Sequence, residues 1–301
     1  MSKRTLAVLA LLGAAFFWGV GPVVTKAGLA EIPTFTLGFL RNVLATAVLL
    51  PFAYSGFKKI KREDLLRLTL IGLFGSGLNA IFFFAGISRT SATASAAIFA
   101  TVPLVNALAA SYILREKPTL VRALGVIVGF LGSLLIALGP AFLGGSKIDG
   151  DVLGNLLVVG AVFSWVAYII GSKKLLETYS PLTIVTFSTL VGSVLLLPLF
   201  TMELLNNPYW YLNVGTPGLI ALLYGGLISG AVAFMLFQWG MQYTSAFEAG
   251  IVVYLQPPIT DFFAVTFLGE ELSPLFLIGT ALILGGVFLA TTYELIQKRR
   301  E

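Results

Sequence analysis

The chain contains no cysteine and no histidine in 301 residues. The first absence excludes disulfides and thiol chemistry, and the second removes the commonest metal ligand and the usual general base near neutral pH, so no metal or cofactor is expected. Charge is scarce as well: 11% of residues are Asp, Glu, Lys or Arg, against 57% hydrophobic and a mean hydropathy of +0.95. That is too little polar surface to cover a water-soluble globule of this length. Strict polar/apolar alternation is missing, which excludes a transmembrane β-barrel. There is no GxSxG and no pair of aspartates in facing apolar runs, so intramembrane proteolysis or acyl transfer lacks its nucleophile and base or its acid dyad. The chain does not read as an enzyme. Its net charge of +5 sits in short connections and forms no stripe that could track a phosphate backbone, so no nucleic-acid partner is expected.

What is abundant is apolar sequence in runs of about 20 residues, the length of α-helix that crosses a hydrocarbon core. Turn residues and charges bound ten of them, near 5–28, 34–55, 65–87, 92–114, 119–139, 152–172, 181–202, 217–239, 244–268 and 272–294. This is the pattern of an all-α polytopic membrane protein with the lipid bilayer as its solvent. The first run, Leu6 to Thr25, exceeds the apolar core of a secretory signal and reads as an uncleaved span. With a cytoplasmic amino terminus, fifteen Lys and Arg residues fall on inner connections and tails, from Lys3 and Arg4 to Arg300, and three (Lys26, Arg89, Lys147) on outer ones. That bias orients a chain in an inner membrane with both termini cytoplasmic. Arg41 lies inside a span.

The sequence repeats itself. Phe17 to Pro51 aligns without gaps on Ser164 to Pro198, matching Trp18 to Trp165, Lys26 to Lys173 and Pro51 to Pro198 at an offset of 147. Farther on, GISRTSA (Gly86–Ala92) matches GMQYTSA (Gly240–Ala246), and Pro103 with Pro257, Glu116 with Glu270, Gly125 with Gly279 and Gly132 with Gly286 share an offset of 154. Residues 1–147 and 148–301 are therefore two five-helix repeats. An odd helix number makes the second enter from the opposite side, giving the inverted topology used for alternating access to a midplane site.

These residues also resemble a known family. The five-plus-five plan, FFWG in the first helix, LGFLR in the second, and above all TVPLVNALAASYILREKPT and LQPPITDFFAVTFLGEELSP closing the two repeats, are similar to the EamA-like transporters of the drug/metabolite transporter superfamily. The first copy departs in reading Leu-Arg-Glu, with Arg115 where glycine is usual. The resemblance implies transport of small organic solutes, often export of amino acids or related metabolites, through a cavity lined by helices 1, 3, 4, 6, 8 and 9. A nucleotide-sugar exchanger and, in another class, a channel are the alternative readings.

Candidate site residues follow from depth. Trp18 and Trp165 occupy matched positions about 18 Å along their helices, too deep for an interfacial belt, where an indole N–H needs a task. Asn79, Asn106, Gln238 and Gln256 are neutral polar groups within spans, suited to contacting solute or to bonding neighbouring helices. Phe82, Phe83 and Tyr254 add aromatic surface, and solute contact is expected for Trp18, Asn79, Phe83, Trp165, Tyr254 and Gln256. Pro103 and Pro257 each remove a backbone donor near mid-span and break or kink their helices. Arg41 and Asp261 each lie about 10 Å below the outer surface, a matched depth at which pairing lowers the cost of both. Gly125 and Gly129 form a GxxxG pair suited to close helix packing, within the chain or in a homodimer.

Overall fold

The computed structural model describes residues 1–90, 92–115, 119–142, 152–268 and 274–291. Glu116, Glu270, Lys147 and the boundary between the two repeats lie outside these residues. The described chain is helical throughout, in the order α1 Lys3–Gly28, α2 Thr34–Phe57, α3 Arg62–Arg89, α4 Ala92–Phe99, α5 Val102–Leu114, α6 Leu120–Phe142, α7 Val152–Leu175, α8 Pro181–Asn206, α9 Thr216–Tyr243, α10 Ala246–Ile251, α11 Gln256–Leu268 and α12 Pro274–Thr291. Among the described residues seven segments are long and apolar enough to cross a membrane: α1, α2, α3, the Leu153–Leu175 part of α7, α8, α9 and Ala246–Phe267.

Helix ends follow local chemistry. Ser2 and Ser180 accept from the backbone N–H of Thr5 and Thr183, capping α1 and α8. Helix α2 begins after Pro33, which offers no capping side chain, and Glu203 at the far end of α8 supplies the acceptor instead, taking the N–H groups of Phe35 (3.0 Å) and Thr36 (2.7 Å). Glu31 does the same for α9, accepting from Gly215 (2.9 Å) and Gly218 (2.7 Å). A carboxylate there also meets the positive end of the helix dipole.

The two prolines break their helices as the sequence leads one to expect. Helix α4 stops at Phe99 and α5 restarts at Val102, with Pro103 in its first turn, where a missing N–H costs nothing. Between α10 and α11 the chain tightens into a 3₁₀ turn, Val252–Leu255, and Pro257 again falls in the first turn of the next helix.

The chain widens into i→i+5 turns at Leu73–Leu78 in α3, at Ala110–Leu114 closing α5 and at Tyr224–Ala233 in α9. The first and last are rich in glycine and serine, LFGSGL and YGGLISGAVA, and an offset of 154 superimposes one on the middle of the other. Such bulges concentrate at functional sites because they free backbone carbonyls from the helical ladder.

Packing is pairwise: α1 lies against α9 and α11, α7 against α3 and α5, α2 against α8, and α6 against α12. The last pair meets backbone to backbone. A methyl group built on Gly132 would lie 2.6 Å from the carbonyl of Gly279, and one on Gly286 would lie 2.6 Å from that of Gly125. The Gly125–Gly129 spacing therefore serves contact within the chain, where only hydrogen at Cα leaves room.

Candidate functional site

A cavity of about 100 Å³ lies at the centre of the bundle. Four helices enclose most of it, α1 with Trp18, Gly21 and Thr25, α3 with Ser76, Asn79 and Phe83, α4 with Ser95 and Phe99, and α9 with Ser229 and Phe234. Trp165 of α7 and Gln256 of α11 complete the wall. The breaks position two of these residues: Phe99 is the last of α4 and Gln256 the first of α11. The widened turns position two more, Ser76 and Ser229.

Trp18, Asn79, Phe83, Trp165 and Gln256 are thus brought together. Tyr254 is not. Its ring packs against Gly129 of α6 and its hydroxyl donates to the Val126 carbonyl at 2.7 Å, leaving it wholly buried away from the cavity. Residues two apart on a helix point about 200° apart, so Tyr254 and Gln256 cannot both face one space. Phe82 packs on Gly160, Asn106 donates to the Ala246 carbonyl (2.7 Å), and Gln238 donates to Ser172 (3.2 Å). These three join helices.

Helix α2 departs from the expected lining, because it contributes Arg41 and Asn42. The Arg41 guanidinium reaches toward Ser229 Oγ (3.5 Å) and lies 5.8 Å from the Phe84 ring centroid. Asp261 is buried on α11 outside the cavity lining, and the two are not paired in this conformation.

The cavity is closed at one end. Trp18 meets Trp165 edge-on at 5.1 Å between ring centroids and Phe237 at 5.2 Å, while Trp165 stacks on Tyr168 at 5.2 Å. The Trp18 N–H donates to the Ser229 carbonyl freed in the widened turn of α9 (3.1 Å), so the indole's task is to seal. This aromatic layer separates the cavity from the end of the bundle that holds Lys173. Thr25 and Phe83 line the other flank, toward the end that holds Lys26.

The two lysines are not free loop charges: each caps a helix. Lys26 donates to the carbonyls of Ile87 (2.9 Å) and Thr90 (2.7 Å) at the end of α3, and Lys173 to those of Met241 (2.8 Å) and Thr244 (2.5 Å) at the end of α9. An ammonium group there satisfies orphan carbonyls and meets the negative end of the dipole. The matched Lys and Thr-Ser-Ala positions carried the signal. Without these lysines the basic bias is still fourteen against two.

The profile of the EamA-like transporter family matches residues 5–138 and again residues 152–292. The chain belongs to the EamA-like transporter family. Among its relatives, an uncharacterized transporter of Archaeoglobus fulgidus is 28% identical over 98% of this chain and 99% of its own length. A probable terminal-alkyne amino-acid exporter of Streptantibioticus cattleyicolor is 24% identical, covering 99% and 97%. One solved crystal structure shares the fold with a TM-score of 0.74 at 21% identity, covering 95% of this chain and 98% of its own. This EamA-like protein is a multi-pass membrane transporter, and its central cavity is the place where a solute is to be sought.

Proposed function

We propose that this EamA-like protein is a ten-helix carrier, built as two inverted five-helix repeats, that exports small amphipathic metabolites across the inner membrane by alternating access. Amino acids are the leading solute class. The observation that carries the proposal is the central cavity sealed at one end by the Trp18–Trp165 layer, because a site reachable from one side at a time is what a carrier requires. Three further facts support it. The lysine caps recur at the offsets of the sequence repeat, the reciprocal Gly132·Gly279 and Gly286·Gly125 contacts map onto each other, and the family profile matches twice. The relative named as an amino-acid exporter supports the solute class. A nucleotide sugar would want more than Arg41, the single cation among the described residues that line this cavity.

Counterflow in proteoliposomes tests the carrier reading. Vesicles preloaded with unlabelled solute should accumulate labelled solute faster than empty ones; equal uptake would mark a channel and sink the proposal. Orientation is tested on the cysteine-free background: a cysteine at Lys147 should react with an impermeant maleimide in intact cells and one at Lys59 should not.

A further inference from the structure

Arg41 presents an unusual electrostatic situation. It enters the bundle interior from α2, its Nε is buried without a hydrogen-bond partner, and its one recorded hydrogen bond, to Ser229 Oγ, is long at 3.5 Å. Among the described residues no carboxylate lies within ion-pairing distance of it and no aspartate or glutamate lines the cavity. A cation held at this depth without a counter-charge is costly, and a guanidinium has five donors to satisfy. Arg41 lines the cavity.

The rest of the wall has matching deficits. The hydroxyls of Ser76 and Ser95, on residues 4% and 0% exposed, are also buried without partners, and both line this cavity. Asn42 and Asn79 donate their amide nitrogens to the carbonyls of Ser76 (3.0 Å) and Ala161 (2.9 Å). A carbonyl can only accept, so the nitrogen must be the atom facing it, which fixes both amide orientations and leaves each amide oxygen as an uncommitted acceptor. One fork of donors, two acceptors and an aromatic face at Trp18 and Phe83 therefore surround a small volume. A phosphate dianion would call for a second cation that the wall does not hold; a carboxylate needs one planar fork.

We infer that Arg41 anchors the carboxylate of a small zwitterionic solute, an α-amino acid or close analogue, whose ammonium group is held by the amide oxygens of Asn42 and Asn79. This rests on the carrier reading for its biological meaning but not for its chemistry. It also gives Asp261 no part in the resting charge balance of Arg41.

The test is binding to purified protein, read as tryptophan fluorescence and melting shift, with L-alanine, L-leucine, L-phenylalanine, their amides, 3-phenylpropanoate and inorganic phosphate. At least one amino acid should bind, and its amide should bind about 10- to 100-fold more weakly, the loss expected when charge-assisted hydrogen bonds are removed. Arg41→Gln should lose the same factor, Arg41→Lys should fall between, and Asp261→Asn should bind as wild type. Asn79→Leu should narrow the preference for L-phenylalanine over 3-phenylpropanoate. The inference is overturned if amides or phosphate bind as well as the acids, if no amino acid binds, or if Arg41→Gln binds normally. Counterflow with the same amino acid separates the two readings: binding lost in Arg41→Gln but no counterflow in wild type would keep the subsite and remove the carrier.

Discussion

The end of the bundle that holds Lys26 and the end that holds Lys173 use one backbone plan and opposite side-chain volumes. At an offset of 147, Gly21 answers to Tyr168, Thr25 to Ser172, Arg41 to Ser188 and Asn42 to Thr189. The first of each pair lines the open cavity, and the second lies in packed protein. A side chain built at Gly21 would meet nothing within 4 Å, whereas the Tyr168 ring is fully buried and pressed on Gly75 of the widened turn. The Tyr168 hydroxyl is buried beside the side chains of Gln238 and Ser188. The end that holds Lys173 is therefore closed by ring volume, while toward the end that holds Lys26 glycine leaves the space clear.

The largest test of this contrast exchanges the two positions. Gly21→Tyr should fill the cavity and abolish solute binding and counterflow, with melting within a few degrees of wild type because the ring enters empty space. Tyr168→Ala should instead cost about 3–5 kcal/mol through the void left in the core, seen as a large drop in melting temperature in detergent. If Gly21→Tyr transports normally, the cavity is not the solute's path. If Tyr168→Ala melts like the parent, the closed end is not held by that ring.

How much of this was legible in the sequence depends on whether a property runs along a helix or around it. Span positions, the proline breaks at Pro103 and Pro257 and the matched depth of Trp18 and Trp165 follow from apolar length and turn chemistry, and they agree with α1, α4–α5, α7 and α10–α11. Direction around the axis is what failed. Tyr254 shares a depth with Gln256, but two steps around a helical turn point it to the far side, and its ring goes to α6. Arg41 lies on a helix expected to be peripheral, and the structure turns it inward to Ser229. The widened turns around Ser76 and Ser229 are not legible in the sequence, because GSG and SG also read as ordinary close-packing residues in a membrane helix.

A smaller effect probes whether the two ends are built equivalently. Lys26→Met and Lys173→Met each uncover two helix-terminal carbonyls, and a hydrogen bond to a charged group contributes about 1.5–3 kcal/mol. Each substitution should lower stability by about 2 kcal/mol, read as melting temperature, and the double variant should be additive because the sites lie at opposite ends. A loss confined to one lysine would show that the matching contacts do not bear matching loads.

The smallest effect concerns the turn where the two signature copies differ. Arg115 closes α5 with φ 56° and ψ 27°, the left-handed region, and it is the one non-glycine residue with positive φ among those described. The second copy has Gly269 at the corresponding position. A side chain in this conformation costs about 1–2 kcal/mol, and glycine's extra freedom in the unfolded chain returns about 0.5–1 kcal/mol of that, so Arg115→Gly should gain only about 0.5 kcal/mol. The decisive comparison is Arg115→Gly against Arg115→Ala, which both delete an exposed guanidinium and differ chiefly in backbone tolerance. Glycine should be the more stable by about 0.5 kcal/mol, the reverse of the order found inside a helix. Alanine equal to or better than glycine in melting would mean that this turn does not hold its left-handed geometry, and that the arginine was accommodated by a different backbone path.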